Sequence, residues 1–214
     1  MLILAVDTAL QRCSVAIMRN GKTLAAEIED REKGHAERIA PMADAVFRQA
    51  GVAPRDLDRI GVVVGPGGFT GVRVGLSFAR AMGLAADAKV VGVASTEALA
   101  ANETADDGLV AGIIDARRGQ VYAGLYQGRA TILAPFVADP VAAAAKLQRA
   151  AQREIFIVGT GAQFLPQDAQ WRIADTGSQI DPLVVARLVA AAPPPTDPPA
   201  PLYLRAPDAK PAKA

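Results

Sequence analysis

The sequence predicts an α/β fold divided into two units. Three observations carry the prediction: β-branched runs alternate with amphipathic helix patterns, a polar stretch over 102–108 interrupts that alternation, and 51% of the 214 residues are hydrophobic. Such a content suffices for a sizeable core without disulfides. We therefore divide the chain into a first unit over 1–103, a smaller unit over 104–192, and a proline-rich segment with a tail over 193–214.

The first unit opens with three predicted strands. They cover 2–6, 14–18 and 23–28. Asn20-Gly21 lies between the second and third strands, and Asn-Gly between apolar runs is the strongest short hairpin signal. An amphipathic helix is predicted over His35–Ala50, where Pro41 should kink the helix or mark its first turn.

A glycine-rich loop follows the next predicted strand, 59–64. Gly65–Gly71 contains four glycines and one proline and leads into a predicted helix over 70–86. The loop lacks the Gly-Lys-Ser/Thr end of a Walker loop, and Thr70 stands where the dinucleotide pattern needs its third glycine. Helix starts attract anions, however. Asp7, Gly67 and Gly68 therefore remain weak candidates for a nucleotide contact.

The order of elements narrows the fold class. The next strand is predicted over 89–93, and a short helix capped by Ser95 follows it. Up to this strand the chain has the order of three meander strands, helix, strand, helix and strand. This is the order of the ribonuclease-H-like half of the actin and sugar-kinase superfamily.

The second unit has the same kinds of element. Strands are predicted over 109–115, 121–126, 131–136 and 154–158, and helices over 141–151 and 181–192. Pro193–Pro201 holds six prolines in nine residues and should be extended. Residues 206–214 are expected to form a disordered tail.

The helix over 70–86 is the candidate partner surface. Arg73, Ser77 and Arg80 form a thin polar line, and small residues recur every four positions, which makes a flat ridge. Such an apolar helix is buried on more than one side: either its own sheet and a neighbouring helix enclose it, or another subunit does. The predicted partner interface contains His35, Ile39, Met42, Val46, Arg73, Gly75, Leu76, Ala79, Arg80 and Gly83.

Composition excludes several classes of protein. A net charge of +1 argues against autonomous nucleic-acid binding. Cys13 is the single cysteine and His35 the single histidine, so an internal disulfide and a two-histidine metal site are both impossible within the sequence. We expect His35 to be solvated at a helix start and Cys13 to be half-buried. No span is long enough to cross a membrane, and we expect a cytoplasmic protein.

Several separated motifs resemble the bacterial TsaB family, the dimerisation subunits of the machinery that makes threonylcarbamoyladenosine in tRNA. Gly65–Arg73 is similar to the family signature Gly-Pro-Gly-Ser-Phe-Thr-Gly-Leu-Arg. Further similar motifs are Leu4–Thr8, Gly34–Glu37, Asp115–Arg118 with Val121-Tyr122, and Pro201–Arg205. Gly68 and Ala9 replace serines that are usual in the family.

The resemblance implies an actin-like fold of two ribonuclease-H-like lobes, no catalytic activity and no cofactor of its own. It implies docking through the first two helices with the catalytic paralogue TsaD, with the ATPase subunit TsaE joining a complex that uses ATP. Homodimers would form when the partner is missing, and tRNA would be contacted only through the complex. The paralogue holds a metal with two histidines on its first helix, whereas here Ile39 follows His35 by four residues.

Two other functions remain open at the level of sequence. One is a small-molecule kinase or ATPase that uses Asp7 and the glycine loop, although the loop has no lysine. The other is a peptidase, for which the sequence has no nucleophile-elbow pattern.

Overall fold

The computed structural model of the chain describes residues 1–103, 108–168, 170–174 and 178–205. The predicted tail, 206–214, lies outside the described residues, as does most of the predicted boundary loop. Among the residues described, none of the helices combines the length and the apolar character needed to cross a bilayer.

The first lobe is built on a five-stranded sheet. Its elements are β1 (Leu2–Asp7), β2 (Arg12–Arg19), β3 (Lys22–Asp30), α1 (His35–Ala50), β4 (Arg59–Val63), α2 (Phe69–Ala86) and β5 (Lys89–Val93). The strand order is β3-β2-β1-β4-β5, with the first three strands antiparallel and the last three parallel. α1 and α2 lie side by side on one face and start from the same edge of this sheet, and Pro41 does not interrupt α1.

The second lobe repeats this topology. After α3 (Ser95–Ala100) come β6 (Leu109–Asp115), β7 (Val121–Gln127), β8 (Ala130–Ala138), α4 (Pro140–Ala151), β9 (Ile155–Val158), β10 (Trp171–Ile173) and α5 (Pro182–Ala191). The strand order β8-β7-β6-β9-β10 is the order of the first sheet, with the same parallel and antiparallel pairs. The short strand β10 was not predicted, because three residues are too few to establish an alternation of apolar and polar side chains.

The two lobes exchange helices. α3 packs on β6 and β7 of the second sheet. α5 instead returns to the first sheet and packs on four of its five strands, β1, β2, β4 and β5. A Cβ at Gly61 would overlap Val189 and approach Val185, so this glycine lets α5 lie close to β4. The helix predicted over 181–192 thus belongs to the core of the first lobe, and one apolar core joins the two sheets.

Ser95 does not cap α3, contrary to the sequence prediction. Ala94 occupies the N-cap position, and Ser95 is the first helical residue, with its hydroxyl buried. The side chain is fully enclosed because α3 is clamped between the two lobes. Tertiary packing, rather than a side-chain cap, therefore fixes the start of this helix.

Candidate functional site

The glycine loop packs directly on the loop between β1 and β2. A Cβ at Gly67 or Gly71 would overlap the carbonyl oxygens of Ala9 and Thr8, respectively. The Thr8 hydroxyl donates to the Gly71 carbonyl at 2.7 Å, and the Gly68 N–H donates to the Ala9 carbonyl at 2.8 Å. The glycines therefore permit two backbones to touch, and the Gly68 amide is already committed within the chain.

Asp7 lies beneath this junction rather than at a surface. Its side chain is 0% exposed, and one carboxylate oxygen accepts from the Ala9 N–H at 2.8 Å. The other oxygen has no hydrogen-bond partner among the described residues. Burial raises the pKa of Asp7 from 3.8 to about 7. In this conformation Asp7 cannot contact a ligand, so the structure does not place this nucleotide candidate at a site.

A cleft of about 860 Å³ separates the two lobes on the side of the glycine loop. Its first-lobe wall comes from the β1–β2 loop, the start of α1 and the start of α2, so Gly67 and Gly68 line it. Lys33 and Glu32 also lie on this wall, and Asp115 and Arg117 lie on the opposite one. Arg117 pairs with Asp115 at 3.2 Å, so acidic and basic groups are balanced around the cleft.

The single histidine and the single cysteine are both buried, which corrects the sequence expectation for each. His35 is 9% exposed, and burial, aided by the positive charge of Arg31, lowers its pKa. Cys13 is fully enclosed, and burial raises the pKa of its thiol to about 11. Imidazole and thiol are therefore both held in their neutral forms near neutral pH.

Most of the predicted partner interface points into this chain. The buried members are His35, Ile39, Met42, Val46, Gly75, Leu76, Ala79 and Gly83, whereas Arg73 and Arg80 are exposed.

The small-residue ridge in particular faces the first sheet. A Cβ at Gly75 would meet the Thr8 hydroxyl at 2.5 Å, and one at Gly83 would overlap Val90. The ridge is therefore an internal packing surface, which agrees with the first of the two explanations that the sequence left open, enclosure of α2 by its own lobe. Helical spacing identified the ridge, but not which molecule covers it.

The opposite faces of α1 and α2 form the outer surface of the lobe. Exposed on them are Ala36, Ala40 and Pro41 of α1, and Ala81, Leu84 and Ala85 of α2. Leu84 is 88% exposed, the largest exposure among the large hydrophobic residues described. We call this surface the helix-pair face. The two helices also expose five charged residues, Glu37, Asp44, Arg48, Arg73 and Arg80. Exposed apolar and small residues bordered by polar ones are typical of an interaction site.

The C-terminal segment 199–205, which we call the C-terminal strap, crosses the start of α2. The Leu202 N–H donates to the Val64 carbonyl at 2.8 Å, and Arg80 donates to the Pro199 carbonyl at 2.6 Å. Arg73 donates to the Tyr203 hydroxyl at 2.8 Å. The polar line that the sequence placed on α2 is thus occupied by the chain's own C-terminal strap.

Sequence reasoning missed this role of the strap. A proline-rich run predicts extended chain, but nothing in its composition tells where that chain lies. The available signal was the polar line itself, because two arginines on an otherwise apolar helix need partners for their guanidinium groups.

Two lobes of identical strand order, with helices exchanged between them and a cleft at their junction, define a protein of the actin-like class. Similarity to known proteins identifies the family within this class. The family model for "TsaD: tRNA N6-adenosine threonylcarbamoyltransferase" matches residues 24–174. A Bacillus subtilis protein named tRNA threonylcarbamoyladenosine biosynthesis protein TsaB is 40% identical over 65% of this chain and 61% of its own length.

Longer matches agree with this assignment. YeaZ from Pseudomonas aeruginosa is 31% identical, with a TM-score of 0.74 over 89% of this chain and 92% of that one. An uncharacterised Mycobacterium tuberculosis protein is 34% identical over 98% of this chain and 94% of its own length. The chain belongs to the TsaB family, with a domain of the TsaD type. Its match spans about three fifths of the Bacillus subtilis relative.

Proposed function

We propose that this chain is a non-catalytic scaffold subunit in tRNA threonylcarbamoyladenosine biosynthesis. It pairs with the catalytic paralogue TsaD, and the ATPase subunit TsaE joins the assembly, which uses ATP. The complex places the threonylcarbamoyl group on the adenosine beside the anticodon, and this chain meets tRNA only through the complex. Alone, it forms a homodimer through the same surface.

The observation that carries the proposal is the helix-pair face. α1 and α2 are parallel neighbours whose outward residues include six small or apolar side chains between charged ones, and Leu84 among them stands almost fully in solvent. A protein that shares the domain of its partner can present the same helix pair, so the two subunits can meet around a pseudo-twofold axis. The match of this chain to a TsaD-type family model supports such a partner.

The chemistry of the buried polar groups supports a scaffold role. The catalytic paralogue is expected to hold a metal with two histidines on its first helix, but here the second position is Ile39, which is 3% exposed within the core. The Cys13 thiol is enclosed and kept protonated, which disfavours a nucleophilic role. The Gly68 amide and the Asp7 carboxylate bond to Ala9, which disfavours a kinase-like phosphate contact at these residues.

Reconstitution of the modification tests the proposal. Purified TsaD and TsaE of the same organism, tRNA, ATP and the threonylcarbamoyl donor are combined with and without this chain, and modified adenosine is measured by mass spectrometry. We expect modification only in the complete mixture and none with this chain alone. Equal modification in its absence would refute the scaffold role, and transfer by the chain alone would refute the non-catalytic assignment.

A charge on the helix-pair face tests the docking surface. Leu84→Glu should abolish co-elution with TsaD, because a carboxylate would be desolvated in an apolar contact, while the fold survives since the position is 88% exposed. Val141→Glu is the matched control, because Val141 is 67% exposed on α4 of the other lobe. Co-elution of the folded Leu84→Glu protein would place the interface elsewhere.

A further inference from the structure

An exposed aromatic–arginine cluster joins the C-terminal strap to the start of α2. Phe69 is 54% exposed and Tyr203 is 44% exposed, and the centroids of their rings lie 5.2 Å apart. The Arg73 guanidinium stacks over Phe69 at 3.7 Å from the ring centroid. The same guanidinium holds the Tyr203 hydroxyl. Two large rings are thereby fixed in place yet left half in solvent.

The strap is pinned on both sides of Tyr203. Leu202 bonds to Val64 and packs against the core of the first lobe. Arg205 donates to the Gln120 side chain at 2.6 Å and to the Arg117 carbonyl at 3.3 Å in the second lobe. Tyr203 is therefore presented by a segment that is anchored before and after it, and little side-chain entropy remains to be lost when it binds.

The cluster borders the helix-pair face. Phe69 is the first residue of α2, and the Tyr203 ring packs beside it. A standard interface buries about 800 Å² of accessible surface per partner. A partner that covers α1 and α2 along their length therefore reaches Phe69 and Tyr203 at the start of α2.

We propose that Phe69, Arg73 and Tyr203 form the anchor of the docking surface for TsaD, completed by the C-terminal strap. This inference rests on the proposed function and deepens it by naming the contact that dominates binding. Pre-ordered aromatic and arginine side chains are the residues that carry most of the energy in protein interfaces. Arg73 uses its Nε atom for Tyr203, which leaves its terminal guanidinium nitrogens to donate to a carboxylate of the partner.

Titration calorimetry with purified TsaD tests the anchor. Phe69→Ala and Tyr203→Ala should each weaken binding about tenfold or more, as truncation of an interface anchor does. Phe164→Ala is the matched control, because Phe164 is 47% exposed in the second lobe, and it should bind like the wild type. Thermal unfolding of each variant establishes that it is folded. If Tyr203→Ala does not fold, Phe69→Ala decides.

Two further variants separate a direct contact from a purely structural one. Tyr203→Phe keeps the ring and should bind more tightly than Tyr203→Ala. Arg205→Ala removes one of the two anchors of the strap but keeps both rings, so it should weaken binding less than Tyr203→Ala does. Equal losses for Arg205→Ala and Tyr203→Ala would overturn the proposal, as would unchanged binding by folded Phe69→Ala. If the wild type itself does not bind TsaD, the proposed function is refuted instead.

Discussion

Replacing Asp7 by asparagine should remove a pH dependence from the stability of the fold. Asp7 is fully enclosed, and burial is the largest influence on its pKa, outweighing the Ala9 amide and the Arg12 charge, which lower it. Strand register places Ser14 opposite Asp7 on the neighbouring strand, and its hydroxyl is also buried without a partner among the described residues. An asparagine side chain at this position can keep the bond from Ala9 and can donate towards that hydroxyl.

The magnitude follows from the two pKa values of Asp7. The unfolded carboxyl titrates near 3.8 and the folded one near 7. Between these values the folded protein holds a proton that the unfolded chain has lost, so the free energy of unfolding falls as pH rises through this window and levels off above it. At about 1.4 kcal/mol per pH unit over about 3 units, the loss amounts to about 4 kcal/mol.

Urea unfolding at pH 4, 5, 6, 7 and 8 measures the effect. The unfolding free energy of Asp7→Asn minus that of the wild type should rise with pH by about 4 kcal/mol in total and then stay level. Asp44→Asn is the control, because Asp44 forms only an exposed ion pair with Arg48 and the corresponding difference should be nearly constant. A constant difference for Asp7→Asn, or one that falls with pH, would show that the folded carboxyl is ionised at low pH and would refute this account.

Three further substitutions test the packing of the site by urea unfolding. Gly71→Ala should lower the free energy of unfolding by about 3 kcal/mol or more, since its Cβ would overlap a carbonyl oxygen. Gly68→Ala has room for its Cβ and should lower it far less. Equal losses would contradict the close approach of the two backbones. Ala79→Glu should unfold the protein because the position is 0% exposed, whereas Ala81→Glu should fold normally. A folded Ala79→Glu protein would show that the small-residue ridge lies at the surface. Tyr126→Phe should lower the free energy of unfolding by about 1 kcal/mol through loss of its 2.8 Å hydrogen bond with a buried threonine hydroxyl. An unchanged free energy of unfolding would mean that this hydrogen bond contributes nothing beyond what bonds to water provide in the unfolded chain.

Much of the first lobe could be predicted because local signals and tertiary packing agree there. The α1 bounds, His35–Ala50, coincide with the prediction, and so do the bounds of β5 and β6. The actin-like class, which the order of elements along the chain indicated, is confirmed. α1 has a helical period of apolar residues, whereas β5 and, in the second lobe, β6 are short apolar runs, and both kinds of signal can be recognised in a sequence.

The exchange of helices could not be predicted from the same signals. α5 is an apolar helix that follows the last strand of the second lobe, and sequence proximity assigns it there. Its actual partners on the first sheet are set by long-range contacts such as Gly61 against Val185. Periodicity identifies which face of a helix is buried, but it carries no information about which sheet buries it.

Periodicity was also insufficient to place the predicted partner interface, because it does not tell which surface buries a residue. Apart from His35, every buried residue in the predicted interface was chosen because it is apolar or small, and those properties serve equally well for packing against the chain's own sheet. The outward residues of α1 and α2 were the informative ones, because exposed apolar residues grouped in a patch, here around Leu84, mark an interaction site. An interface is therefore better sought among exposed apolar residues on a helix whose core face is already accounted for.

The C-terminal strap explains why α2 needs arginines on a face that a partner is proposed to cover. Arg80 and Arg73 bind the strap through Pro199 and Tyr203, and the strap in turn brings a second aromatic ring beside Phe69. Without the strap these two guanidinium groups would lie beside an apolar surface, where docking would desolvate them at a cost. With it, each already has a hydrogen-bond partner before docking begins. The strap thus satisfies the two arginines whose desolvation would oppose association, and it orders them at the edge of the proposed interface.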